Sequence, residues 1–97
     1  MAKTRFLHVG LTVKDMKRTI QFYQKYFGFE LEMEGVFDQK FIGSHSSLYR
    51  VKEGSYSDFC FLRSENGIVL EVFQFHPQKE MLPIHWERPG YTHICFK

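Results

Sequence analysis

An α+β fold, with one helix laid across a mostly antiparallel sheet, is what the order of hydrophobic periods in this chain predicts. Three observations carry that reading. Apolar residues recur at helical spacing in one clear stretch near residues 16–27, period-two alternation marks strands on both sides of it, and a short polar turn joins two of those strands into a hairpin. With 97 residues, 43% of them hydrophobic and eleven of them Phe, the chain suits one domain with a real core, although a domain of this size buries a modest fraction of its surface.

The elements follow in order. Leu7, Val9, Leu11 and Val13 alternate with His8, Gly10 and Thr12, which predicts a half-buried strand. Asp15 reads as an N-cap, Met16, Ile20, Tyr23 and Phe27 then recur at helical spacing, and Gly28 supplies a left-handed stop, giving about three turns. Leu31, Met33, Gly35 and Phe37 alternate with Glu30, Glu32 and Glu34, so the next strand is expected to have one covered and one wet face. Residues 38–57, rich in Ser and Gly, read as a loop with a short helix near Phe41 to Tyr49. Runs at 59–63 and 68–73 flank Ser64-Glu65-Asn66-Gly67 and predict a hairpin. The stretch from His76 to Gly90 contains all three prolines and reads as a long linker to a last strand at 91–97.

Charge and cysteine usage narrow the function classes. The net charge of +2 is spread along the chain with Lys17-Arg18 as its only adjacent basic pair, so the stripe that a nucleic-acid backbone demands is missing. No run is long enough to span a membrane, and the apolar stretch after the basic N-terminus meets Lys14-Asp15 too soon for a signal peptide. Cys60 and Cys95 lie in strand-like surroundings without a Cys-x-x-Cys, which predicts two free buried thiols in a reducing, cytoplasmic compartment.

The chain states one pattern twice. Phe6-Leu7-His8-Val9-Gly10-Leu11 and Tyr91-Thr92-His93-Ile94-Cys95-Phe96 both run aromatic, any residue, histidine, aliphatic, small, large apolar. In a strand each histidine shares a face with its preceding aromatic, away from the core side. Glu71 shares a face with Val69 and Phe73 in a run whose other face holds Leu70 and Val72, and a carboxylate in so apolar a setting calls for a cation or metal. Two imidazoles and a carboxylate from separate strands suit Zn²⁺, Ni²⁺, Co²⁺, Mn²⁺ or Fe²⁺. On pattern alone each has a plainer role: either histidine as a solvent-facing or hydrogen-bonded strand residue, and Glu71 as a residue of a wet sheet face. His45, His76 and His85 lie in loop-like sequence and are expected in ordinary surface or turn roles.

Several segments together resemble the vicinal oxygen chelate superfamily, which includes glyoxalase I, methylmalonyl-CoA epimerase, extradiol dioxygenases and the fosfomycin and bleomycin resistance proteins. They are His8 to Asp15, Ile20-x-Phe22-Tyr23, Phe27-Gly28-Phe29, Gly67 to Val72 and Pro89 to Ile94. The resemblance implies a pair of βαβββ modules, with residues 5–76 as the first, 77–90 as a linker and 91–97 as the first strand of the second. It implies His8, Glu71 and His93 as metal ligands, and it leaves the family's fourth ligand, a glutamate on the second module's final strand that often serves as base, without a counterpart here. Glu at position 71 is closest to glyoxalase I-like members, so the implied activity is a metal-dependent lyase or isomerase acting through an enediolate on a small substrate with vicinal oxygens. Glu71 is then a candidate base, less plausibly than the absent glutamate, and Phe6, Phe61, Phe73 and Tyr91 are the expected apolar walls. An Fe²⁺-dependent extradiol-type dioxygenase and a non-catalytic small-molecule binding module are the alternatives. The open edges of a single module predict a homodimer.

Overall fold

The computed structural model describes residues 3–91 and 93–96. Among these residues four strands and three helices follow one another as β1 (Val9–Thr12), α1 (Met16–Phe27), β2 (Glu30–Phe37), α2 (Gln39–Ser44), α3 (Ser46–Tyr49), β3 (Tyr56–Arg63) and β4 (Val69–His76). The sheet order is β1-β4-β3-β2, with β1 parallel to β4 and the other pairs antiparallel. This is the expected α+β architecture, a βαβββ unit with two short helices between its second and third strands.

Helix α1 is held at both ends by partners for its orphan backbone groups. Asp15 accepts a hydrogen bond from the Arg18 amide at 3.1 Å, and the Gln74 side chain on β4 accepts one from the Met16 amide at 2.7 Å. Gly28 then takes the left-handed conformation at φ 67° and donates its N–H to the Tyr23 carbonyl, ending the helix. The face of the sheet beneath α1 carries the core: Cys60, Leu62, Leu70 and Val72 are fully buried, with Met16 and Phe29 closing over them. Burying Leu62, Leu70 and Val72 contributes about 1.5–3 kcal/mol each. The β3–β4 turn forms at the predicted residues, Gly67 at φ 89° allowing the Ser64 amide to bond the Ile68 carbonyl at 2.8 Å.

Four sequence expectations are corrected. Strand β1 is confined to Val9–Thr12, so His8 stands just before it. In β2 the expected single covered face is split by a bulge: Leu31 pairs with Leu62 on the helix side, but Met33 pairs with Phe61 on the open side, because Glu32 is an extra residue between them. Arg63 binds that extra residue through two hydrogen bonds to the Glu32 carboxylate. Cys60 is buried as expected and Cys95 is exposed; both are free. Among the described residues the tail 91–96 forms no strand; it meets the body through Phe96, whose ring stacks on Phe27 at 4.8 Å, and side-chain packing there takes the place of a backbone ladder.

Candidate metal and small-molecule site

The face of the sheet away from α1 is where the period-two alternation sends His8, Glu71, Phe61 and Phe73. Cross-strand register sets their neighbours: Glu71 lies opposite Phe61 on β3 and opposite Gly10 on β1. His8 Nε2 lies 3.1 Å from Glu71 Oε1, and its ring meets Phe61 edge-on at 5.8 Å. Glu71 is the more enclosed of the pair, its side chain 18% exposed against 38% for His8.

Beside this pair the same face opens into a cavity of about 880 Å³. Its floor is aromatic, with Phe73 stacked on Phe75 at 6.0 Å and Phe37 stacked on Phe59 at 4.1 Å. Gly35 is required for that second stack, since a Cβ there would lie 2.8 Å from the Phe59 ring. The walls come from two segments of irregular or short structure, Leu48 to Lys52 with Ser55, and Pro77 to Lys79, while Glu71 and Thr12 border it from the sheet. Tyr49 reaches over Phe75 at 6.1 Å, and burial first, then the Glu71 charge, push its phenol above the ordinary tyrosine range.

Of the residues the sequence singled out, the structure brings His8, Glu71 and Phe61 together and places Phe73 in the cavity floor. His93 stacks on Trp86 at 5.3 Å, and among the described residues no three His, Cys, Asp or Glu side chains form a group able to hold a metal. Phe6 is 77% exposed and Tyr91 is fully exposed, and neither lines the cavity. Two of the remaining histidines have the local roles expected of them: His45 bonds Ser44 and the Phe41 carbonyl, and His85 approaches Glu87 at 3.6 Å. His76, expected in a loop, instead ends β4 and pairs with Asp58 on β3 at 2.8 Å. Sequence reasoning missed Tyr49, Arg50, Lys52 and Lys79 as cavity residues, because they lie where no hydrophobic period assigns a face.

His8 and Glu71 are of the donor types that a borderline divalent ion takes, and they lie side by side at 3.1 Å. Among the described residues no helix is long and apolar enough to cross a membrane. A sequence model of the glyoxalase/bleomycin resistance protein/dioxygenase superfamily matches residues 5–97. No curated protein matches the sequence significantly. The crystal structure of a glyoxalase family protein from Bacillus cereus is similar in fold, with a TM-score of 0.68 at 18% identity, over 94% of this chain and 62% of that one. The present chain thus spans about 62% of that structure's length.

Proposed function

The chain belongs to the glyoxalase/bleomycin resistance protein/dioxygenase superfamily, and from that premise we propose that it is a glyoxalase I-like lyase or isomerase. It would act with a divalent metal ion on a small substrate bearing two vicinal oxygens. Members of the superfamily bind small molecules and generally use divalent metal ions. The observation that most supports the reading is the double position of Glu71, which touches His8 at 3.1 Å and also borders the cavity.

The proposed ligands are His8, Glu71 and His93, the last contributed by the tail. When bound, the ion supplies Lewis acidity to the substrate's oxygens, lowering the cost of removing a neighbouring proton. The chain's own residues do the rest. Phe61 and Phe73 present apolar surface that orients the substrate and excludes water. Among the described residues Glu71 is the one carboxylate bordering the cavity, and in this reading it would hold the ion or take the proton. Tyr49, which also lines the cavity, offers a phenolic hydroxyl hydrogen there.

A homodimer belongs to the same proposal. Strands β1 and β2 are the edges of the four-stranded sheet, and unpaired edges next to an apolar open face invite a second copy. A monodisperse monomer in sedimentation would remove that part. Two free cysteines fit a cytoplasmic setting.

Metal content and equilibrium binding of Zn²⁺ and Ni²⁺ test the core of the proposal. The purified chain should take up metal stoichiometrically, and His8→Ala and Glu71→Gln should each weaken binding at least about 100-fold, beyond the 10- to 100-fold typical of residues that only support ligands. Absence of stoichiometric metal with no effect of His8→Ala overturns it. Isomerisation of a thiol–aldehyde adduct supports the lyase or isomerase branch, whereas catechol-dependent oxygen uptake by the Fe²⁺-loaded protein assigns the ring-cleaving branch instead.

A further inference from the structure

The cavity beside Glu71 has two chemically distinct sides. Its floor is the flat aromatic surface of Phe37, Phe73 and Phe75, whereas its walls bring in Arg50, Lys52 and Lys79. Three cations stand there against one carboxylate, Glu71, which lies against His8. None of the three is ion-paired among the described residues; Arg50 turns only its Nε back to the Ser47 carbonyl, at 3.4 Å. A wall of unpaired cations above an aromatic floor is complementary to an anion carrying a flat apolar body.

The backbone at Arg50 adds an independent observation. Arg50 ends α3 in the left-handed conformation, at φ 52°, the single non-glycine residue with positive φ among those described. Glycine is the usual residue at such a position, and a residue with a Cβ costs about 1–2 kcal/mol there. The chain carries an arginine at a position where the fold alone favours glycine, and that arginine borders the cavity.

We propose that this cavity binds a small carboxylate with an aromatic body, its ring on Phe73 and Phe75 and its carboxylate toward Arg50, Lys52 and Lys79. The inference takes the cavity to be the substrate site of the function proposed above, and it names the class of substrate. Phenylacetate and its neutral counterpart phenylacetamide serve as probes, titrated into the full-length chain and followed by ligand-observed NMR, with and without excess EDTA. Phenylacetate should bind at least about tenfold more tightly in both conditions. Arg50→Gly should reduce that preference several-fold while leaving thermal stability equal or higher, a combination that a purely structural arginine would not produce. Phe73→Ala should weaken both probes alike. Equal binding of the two probes, or binding of neither, overturns the inference. A preference abolished by EDTA also overturns it, because the carboxylate is then held by metal; that outcome leaves the metal-dependent reading intact. Conversely, a chelator-insensitive preference in a protein that takes up no metal supports the carboxylate site and removes the metal.

Discussion

The phrase at residues 6–11 and its repeat at 91–96 carry the same order of residue types, yet they meet different surroundings. In the first, Val9 to Thr12 run in register with Leu70 to Phe73, and the histidine just before them reaches Glu71. In the second, residues 91 and 93–96 lie outside any strand, His93 stacks on Trp86, and the hold on the body is Phe96 among Tyr23, Phe27 and Phe29. Alternation decides which face a side chain would take if a strand forms. Whether it forms depends on pairing with a neighbour's backbone donors and acceptors, and among the described residues the first copy pairs with β4 while the second pairs with no strand. The contact of His8 with Glu71 is thus a property of the ladder.

Hydrogen exchange should show the largest contrast. The Val13 amide, bonded to the Phe73 carbonyl at 2.8 Å, and the β1 amides facing β4 should exchange only through cooperative opening, slowed by about 10³-fold or more. Amides of residues 94–96 should exchange close to the unprotected rate in dilute protein. Protection that appears at 94–96 as concentration rises would show the tail adding to the edge of a second copy, sharpening the comparison in favour of the dimer. Strong protection in a proven monomer would break the comparison.

The small position of the phrase also has a thiol, and Cys95 can be set against Cys60. Cys60 is fully buried, and burial first, then the charge of Glu34, pushes its thiol up to about 11, whereas Cys95 is exposed. At pH 8 a disulfide reagent should titrate one thiol quickly and the other at least about 100-fold more slowly, with Cys95→Ser removing the fast phase. The sign for stability follows from the raised value. The neutral Cys60 thiol is favoured in the folded chain, so its contribution is complete below the unfolded pKa near 9 and is lost as pH rises toward 11. Cys60→Ala should flatten the decline in urea midpoint over that window, at some cost in packing. Equal reactivity of the two thiols would contradict the burial.

Legibility in the sequence followed the same division. The helix with Asp15 and Gly28 at its ends, the β3–β4 hairpin, and the faces of Leu70, Glu71 and Val72 were readable because each depends on local chemistry or on a period within one element. The β2 bulge was not, because Glu32 continues an unbroken alternation and only pairing with β3 exposes the extra residue. The cavity walls were least legible of all: Tyr49, Arg50 and Lys79 lie in segments without a period, and long-range packing alone brings them over the floor. Within the candidate site, His8 and Glu71 were legible as residues facing one side. Their mutual contact required the parallel pairing of β1 with β4, which the alternation of either strand leaves open.

The aliphatic position gives the smallest and most exacting contrast. Val9 is half-buried against the core, whereas Ile94 is 38% exposed. Truncating Val9 to Ala removes two carbons from partly buried surroundings, which at ~0.8 kcal/mol per fully buried methylene amounts to about 1 kcal/mol, or a fall of about 4–8 °C in melting temperature. Ile94→Ala removes more carbon yet should cost less than Val9→Ala, because Val9 packs on the buried core cluster and Ile94 is not among the described residues that do. Because the larger truncation is expected to have the smaller effect, intrinsic hydrophobicity cannot produce the result; only the difference in what each phrase is packed against can. An Ile94→Ala loss matching or exceeding that of Val9→Ala in thermal melts would mean that the second phrase is buried in solution. If that loss grew with protein concentration, the burial would be against another chain.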